Sequence, residues 1–189
     1  TGTGAVITSG DPTLLIAGPL TIGGSAQFAL TRQTVDVDTD GNQKVDTRIV
    51  SATDGGDTLT GSLTLANVID AGAGNDTIDA GAGTDTIVGT AGTDTIDGGL
   101  GSDTFDLSAN NGTAFTVDLT NGAGQAIGGA FGTKTISNVE NITGADGNDT
   151  FTAHATAGST LIGNAGDDTF HVGGGAGNDT VTGGAGDDT

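Results

Sequence analysis

The stretch from Ala71 to Asp106 constrains the fold most, because it reads as four nonapeptides in unbroken register: AGAGNDTID, AGAGTDTIV, GTAGTDTID and GGLGSDTFD. Each copy has Gly at position 4, Asp at position 6, Thr at position 7 and a large apolar residue at position 8. Repetition at a short fixed period is typical of a solenoid, in which each repeat is stable only through its stacked neighbours. The rest of the chain either copies this unit or interrupts it.

Each nonapeptide divides into a turn and a strand. The Gly-rich first half favours a turn, because glycine adopts positive φ without steric cost, and Thr-Ile-x favours a short strand. Side chains alternate along a strand, so position 8 must point inward while positions 7 and 9 point outward. We therefore predict an all-β coiled ribbon whose core includes Ile78, Ile87, Ile96 and Phe105.

These residues resemble the GGxGxDxUx repeat of the RTX (repeat-in-toxin, haemolysin-type calcium-binding) family. Further copies are Gly144–Thr152, Gly163–His171, Gly174–Thr182 and the unfinished Gly183–Thr189. The resemblance implies a right-handed parallel β-roll, a β-helix solenoid with two nonapeptides per coil and Ca²⁺ held between stacked Gly-Asp turns. Its ligands would be turn carbonyls and the carboxylates of Asp76, Asp85, Asp94, Asp103, Asp149, Asp168, Asp179 and Asp188. The sequence departs from the family at Ala71, Ala80, Thr90 and Ala145, which replace Gly at position 1 or 2, and we expect weaker binding there.

The chemistry of the turns favours calcium independently. Ca²⁺ takes six to eight oxygen ligands at about 2.3–2.6 Å, and Gly-rich turns expose backbone carbonyls. Turns eighteen residues apart should share an ion, which pairs Asp76 with Asp94 and Asp85 with Asp103. The same logic pairs Asp149 with Asp168, and Asp168 with Asp188, in the carboxy-terminal block, whereas Asp179 would face a partner beyond the last residue. The alternative is that these residues only cap turns through Asx hydrogen bonds. That alternative leaves like charges stacked about 4.8 Å apart without a counterion.

Composition narrows the function classes. The chain has 24 acidic and four basic side chains, a net charge of −20, and Glu140 is its one acid that is not Asp. Such a chain attracts divalent cations and repels nucleic acid and anionic membranes. With 37 Gly, six Phe and no Trp, Tyr, Met or Cys, it has little material for a globular core and no disulfide framework. No apolar stretch approaches the roughly 20 residues of a membrane-spanning helix, and no signal peptide is visible, so we expect a mature piece or a fragment.

The repeats divide the chain into four segments. We predict a β-rich amino-terminal segment at residues 1–50, a first RTX block at 51–106, an ion-free β-coil insertion at 107–143 and a second block at 144–189 that stops within a repeat. Strands are predicted at Thr13–Ala17, Ala26–Leu30 and Gln33–Val37. The phrase SNVENITG at Ser137–Gly144 resembles the segment that commonly joins two blocks of RTX repeats.

A second calcium motif competes with a hairpin near the amino terminus. Asp36, Asp38 and Asp40 have the D-x-D-x-D-G spacing of a calcium loop, and with Asp57 they are further candidate ligands. The acid expected at position 12 of such a loop is Thr47, however, and the pattern predicts no flanking helices. We favour a hairpin that turns at Asp40-Gly41, whose tip could still hold an ion.

Two function classes fit these patterns. One is a calcium-stiffened structural or adhesive module of an extracellular bacterial surface layer, filament or large adhesin, which folds on Ca²⁺ after secretion. The other is the carboxy-terminal RTX part of a type I-secreted enzyme, such as a protease, lipase or alginate epimerase, with its catalytic domain elsewhere. We favour the first and expect no catalysis here, because His154 and His171 lie in no recognisable catalytic motif. The expected partners are calcium ions and either further repeats of the same polypeptide or second copies of this chain.

Overall fold

The structure, a computed structural model, describes residues 13–17, 32–38, 47–52, 54–110, 112–120, 124–128, 131–173 and 177–189. Within these residues it contains strands and turns but no α-helix. The strands are β1 (Thr13–Ala17), β2 (Arg32–Asp38), β3 (Thr47–Ala52), β4 (Thr58–Thr60), β5 (Ala66–Asp70), β6 (Thr77–Asp79), β7 (Ala82–Gly83), β8 (Thr86–Val88), β9 (Asp94–Asp97), β10 (Leu100–Gly101), β11 (Thr104–Asp106), β12 (Thr116–Asp118), β13 (Gln125–Ala126), β14 (Thr133–Ser137), β15 (Asn141–Thr143), β16 (Thr150–Thr152), β17 (Thr160–Ala165), β18 (Thr169–His171) and β19 (Thr180–Ala185).

The strands stack into a parallel β-solenoid of about seven coils, which confirms the predicted fold class. One face of the solenoid is a nine-stranded sheet in the order β1-β2-β3-β5-β8-β11-β15-β17-β19. The opposite face consists of a five-stranded sheet, β13-β14-β9-β6-β4, and a three-stranded sheet, β12-β16-β18. Successive repeats therefore alternate between the two faces, and one circuit of the first block takes eighteen residues.

The core lies between the two faces and is built from position 8, as predicted. Ile78, Ile87, Ile96 and Phe105 are buried, and the register places each beside its equivalent in the next coil on the same face. The methyl groups of Ala71 and Ala80, at position 1, are also fully buried. Alanine at position 1 therefore belongs to the core, where its methyl group adds apolar surface.

The amino-terminal segment extends the nine-stranded sheet. β2 and β3 pair antiparallel with Val35 opposite Ile49, which confirms the hairpin, and β3 then pairs parallel with β5. The predicted strands at Thr13–Ala17 and Gln33–Val37 correspond to β1 and β2. The predicted strand at Ala26–Leu30 and the hairpin tip at Asp40-Gly41 lie outside the described residues.

The insertion differs from a simple continuation of the coil. β14 stacks on β9 and β15 stacks on β11, so residues 133–143 do form a coil. The preceding β12, however, pairs with β16, which belongs to a later coil, and β13 returns antiparallel along β14. We call the segment of β12 and β13, which leaves the regular coil, the excursion. It is stabilised by apolar packing, because Phe115, Val117 and Ile127 are buried and the rings of Phe115 and Phe131 meet edge to face at 5.0 Å.

Candidate metal site

The position-6 residues form two rows along the edges of the solenoid, where the turns enter the strands. The first row, which precedes the strands of the nine-stranded sheet, contains in spatial order Asn67, Asp85, Asp103, Glu140, Ser159 and Asp179. The second row begins with Asp57, Asp76, Asp94 and Lys134. It continues with Phe115, which belongs to the excursion, and then with Asp149, Asp168 and Asp188.

Apart from Asp57 at the start of the second row, each carboxylate in a row accepts a hydrogen bond from the backbone of the preceding coil. The N–H of Asp76 donates to Asp94 Oδ1 at 2.9 Å, and the N–H of Asp85 donates to Asp103 Oδ1 at 2.8 Å. In the second block the N–H groups of Asp149, Asp168 and Ser159 donate in the same way to Asp168, Asp188 and Asp179. The structure thus brings together all four predicted aspartate pairs, and it places Asp179 beside the turn of Ser159.

The two hydrogen-bonding roles of aspartate occupy different positions in the repeat. Asx-type bonds within one turn are made mainly at position 9, where the carboxylates of Asp70, Asp97 and Asp106 accept from the N–H two residues later. At position 6, Asp149 also accepts from Ala145 N–H in its own turn. The other position-6 carboxylates use one oxygen to reach the neighbouring coil, so turn capping alone does not explain them.

The second oxygen of four of these carboxylates is buried without a hydrogen-bond partner. These atoms are Oδ2 of Asp76, Asp85, Asp103 and Asp168, whose side chains are almost completely buried. A buried carboxylate without a counter-charge is strongly destabilising, because the protein interior solvates it far less well than water does. The same oxygen recurs on both edges and in both repeat blocks, which indicates a cation between the turns.

Burial also raises the pKa of these acids. Loss of solvent is the largest cause of the raised pKa of Asp76, Asp85 and Asp168, and it raises the pKa of Asp103 and Asp149 to about 6. Hydrogen bonds from the neighbouring backbone lower the pKa of each group but do not offset burial. The fold therefore holds these groups where a bound cation would favour their ionised form.

Position-4 glycines bring the turn carbonyls close together. Gly101 has φ +143°, and a Cβ added to it would lie 1.6 Å from the carbonyl oxygen of Gly83 in the preceding coil. Gly92 approaches the carbonyl oxygen of Gly74 in the same way, at 1.5 Å from a built Cβ. Only glycine permits this backbone conformation and this approach. In the regular repeats, Gly at position 4 is therefore required for this close approach between stacked turns.

One turn already contains a cation from the protein itself. Lys134 is fully buried, and its Nζ lies 2.5 Å from Asp94 Oδ2. The same Nζ donates to the carbonyl oxygens of Thr90, Gly92 and Phe131 at 2.7–2.9 Å. Thr90 and Gly92 are positions 2 and 4 of the repeat whose position 6 is Asp94. The ammonium group thus identifies the oxygens that converge on the space between two turns.

Glu140 takes the position of an aspartate in the first row. Its Oε2 accepts a hydrogen bond from the N–H of Asp103 at 2.9 Å, which is the contact that the next aspartate makes elsewhere. Asn138, two residues earlier at position 4, has φ +51°, a left-handed conformation that Asn tolerates better than most residues. Sequence reasoning missed Glu140 and Lys134 as members of the rows, although the apolar residue two positions after each gave the phase of the repeat.

The donor set fits calcium. Among the described residues, no three Asp, Glu, His or Cys side chains converge on one point, so backbone carbonyls must supply most ligands. Several carbonyls with one or two carboxylates are a typical Ca²⁺ environment. The aspartates whose free oxygens would hold the ions are Asp76, Asp85, Asp103 and Asp168, with Glu140 beside Asp103. A bound ion would supply the positive charge that these buried oxygens lack.

The remaining candidates have less complete surroundings. Asp57 lies in the second row, where its N–H donates to Asp76 Oδ1, and Asp188 is exposed in the last coil. Asp36 and Asp38 lie in β2, and Asp40 lies outside the described residues. Metal binding by all of these residues stays a prediction.

Comparison with known proteins adds the identity of the repeats. A family model of the RTX calcium-binding nonapeptide repeat matches four times, at residues 64–94, 80–114, 159–176 and 174–189. The copy at Gly144–Thr152 and residues 115–143 of the insertion lie between the matched ranges. No curated protein matched the chain. Repeats of this type bind calcium and are typical of secreted bacterial proteins, and this chain carries them on both sides of its insertion.

Proposed function

We propose that this chain is a calcium-folded structural or adhesive module at the surface of a bacterium, part of a surface layer, filament or large adhesin. The observation that carries the proposal is the set of four buried, unpartnered carboxylate oxygens on Asp76, Asp85, Asp103 and Asp168. They recur at the same repeat position in stacked turns, so the ions that bind there become part of the fold itself. Several ions per chain follow from this repetition.

The electrostatics make folding conditional on calcium. A net charge of −20 opposes compaction, and the rows place carboxylates in adjacent coils. Calcium sites of extracellular modules have dissociation constants of about 10⁻⁴ to 10⁻³ M, and the free energy of binding becomes free energy of folding when the unfolded chain has no site. The chain would therefore be unfolded at the low calcium of a cell interior and folded outside.

In this proposal the chain itself is not catalytic. Nδ1 of His154 accepts hydrogen bonds from the N–H groups of Thr156 and Ala157, and His171 is an exposed residue of β18. These placements support structural or surface roles for both histidines. No helix in the described part of the chain is long and apolar enough to cross a bilayer.

Circular dichroism with a calcium titration tests the proposal. We expect little β signal in chelator, a cooperative gain of β signal as calcium reaches the millimolar range, and several bound ions by calorimetry. Magnesium at the same concentration is the matched control, because it requires stricter octahedral geometry and loses water reluctantly. An unchanged β spectrum in chelator, or no bound calcium, would contradict the proposal.

A further inference from the structure

Lys134 occupies the aspartate position of a repeat. Residues 132–137 read GTKTIS and align with GTDTID at residues 92–97, and the strand register pairs Lys134 with Asp94, Thr135 with Thr95 and Ile136 with Ile96. Gly132, at position 4, has φ +64°, and a Cβ there would lie 2.3 Å from the carbonyl oxygen of Gly92. The turn before β14 thus keeps the close approach of the repeats, while the sign of its position-6 charge is reversed.

The surroundings of the Lys134 ammonium are those of a cation site. Its contacts are one carboxylate oxygen of Asp94, two carbonyls from the Asp94 turn and the carbonyl of Phe131 from the following turn. All four contacts are oxygens, and they come from two stacked turns. Asp94 Oδ2 consequently has a partner, whereas the equivalent oxygens of Asp76, Asp85 and Asp103 have none.

Charge balance distinguishes this turn from the others. Where two aspartates follow each other in a row, two negative charges face the space between the turns, and a divalent cation neutralises them. Between Asp94 and Lys134 one negative and one positive charge already sum to zero. A calcium ion here would have to displace a buried ammonium group from four oxygen contacts, at a large desolvation cost for any charge left unpaired.

We propose that the Lys134 ammonium takes the place of the calcium ion between the Asp94 turn and the turn that follows it, so that this interval of the second row needs no metal. The inference rests on the proposed function, because it assumes that the other intervals bind calcium. In this assignment the side chain of Lys134 supplies the cation at the last turn of the first part of the second row, after Asp57, Asp76 and Asp94. The row then resumes with metal-binding turns only at Asp149, beyond the excursion.

The decisive variant is Lys134→Asp, which restores the repeat pattern as GTDTIS. In millimolar calcium this variant should bind one more Ca²⁺ per chain than the wild type, by equilibrium dialysis and native mass spectrometry. Thr133→Asp is the matched control, because it adds an acid at position 5, where Asp167 and Asp187 occur naturally, without removing the ammonium. Thr133→Asp should leave the number of ions unchanged.

Lys134→Gln provides a second readout that does not depend on creating a site. It removes the positive charge but keeps an amide able to donate to the carbonyls, so Asp94 is left buried and unpaired. We expect the calcium concentration at the folding midpoint to rise at least about threefold, consistent with the loss of a buried pair. A midpoint equal to that of the wild type would overturn the role of Lys134 as a counter-charge.

The outcomes separate the two proposals. If the wild type binds no calcium, the proposed function fails. If the wild type binds several ions and Lys134→Asp binds the same number, the substitution of calcium by Lys134 fails while the proposed function stands. If Lys134→Asp gains an ion and Thr133→Asp does not, the assignment is supported.

Discussion

The regular block and the insertion use the same turn for different cations. In residues 71–106 each turn presents an aspartate at position 6, and in residues 131–143 the two equivalent turns present Lys134 and Glu140. The strands after these turns keep identical register, and the core passes without a break from Ile96 to Ile136 and from Phe105 to Ile142. The stacking register of the strands is therefore independent of the sign of the charge that the preceding turn carries.

This comparison distinguishes the repeat positions that allow the turns and strands to stack from the position that determines how the charge of the stacked turns is neutralised. Position 4 and position 8 determine whether a segment can stack, through close backbone approach and apolar burial. Position 6 determines whether the stacked turns bind a metal ion, contain a cationic side chain or keep a negative charge that nothing neutralises. The three predictions below test this separation, starting with the position that shapes the coil.

Replacing Gly101 by Ala should have the largest effect, because it combines a glycine-only conformation at φ +143° with a Cβ 1.6 Å from a backbone oxygen. We expect a loss of at least about 3 kcal/mol in the free energy of unfolding in calcium. Gly112→Ala in the insertion is the control, since Gly112 has φ +74° but open space around it. That change should cost only about 1–2 kcal/mol. Equal urea midpoints for the two variants would show that close stacking is not the constraint.

Acid should partly replace calcium. Burial raises the pKa of Asp103 and Asp149 from 3.8 to about 6, and it also raises the pKa of Asp76, Asp85 and Asp168. A carboxyl group with a raised folded pKa stabilises the fold fully below its unfolded pKa and loses that contribution as pH rises through the folded value. Metal-free chain should therefore gain β signal as pH falls from 7 to about 5.

Calcium-loaded chain should respond to pH in the opposite direction. In the calcium-loaded fold these carboxylates are held ionised, so its free energy of unfolding should fall as pH drops below about 5, where the carboxyl groups of the unfolded chain begin to take up protons. Circular dichroism at fixed low and high calcium measures both slopes. The same sign of slope in the two conditions would contradict the assignment of the buried aspartates as ligands.

Asp103→Asn should have a smaller effect whose sign depends on calcium. The amide keeps an oxygen for the N–H of Asp85 but removes a buried charge, so the metal-free fold should become easier to form while the calcium-loaded fold loses an ion. Asp118→Asn is the control, because the carboxylate of Asp118 accepts exposed hydrogen bonds from Thr120 in the described part of the chain. Calorimetry that gives the same calcium stoichiometry for both variants would contradict the assignment of Asp103.

The regular repeats made most of the fold predictable. The fixed nine-residue spacing of the repeats predicted the alternation between two faces, the burial of Ile78, Ile87 and Ile96, and the pairing of aspartates eighteen residues apart. These features depend on local geometry, since each repeat has the same turn and the same strand phase. The hairpin of β2 and β3 was predictable for the same reason, because its two strands are close in sequence and flank the turn residues Asp40-Gly41.

The insertion was harder to predict because its turns lack the Gly-x-Asp pattern. Lys134 could be aligned through Gly132, Thr135 and Ile136, whereas Glu140 could be aligned only by the phase of Ile142. A lysine in place of an acid, however, does not show which groups surround its ammonium. The pairing of β12 with β16 depends on tertiary packing of Phe115 and Phe131, which no spacing rule includes. In the insertion, the residue at position 6 can be identified from the sequence, but the residue that it faces in the neighbouring coil can be identified only from the strand register.

The excursion through β12 also affects the order in which the coils can be completed. β14 pairs with β9 and β15 with β11, so these strands find parallel partners that precede them in the chain. β12 instead pairs with β16, and the N–H of Phe115 donates to Asp149 Oδ1, 34 residues later. A chain that acquires structure from its amino end must therefore hold β12 without its parallel partner until the second block has been synthesised or exported. Strictly sequential growth of the stack is interrupted at this point, and the second block is needed to complete a strand that the insertion begins.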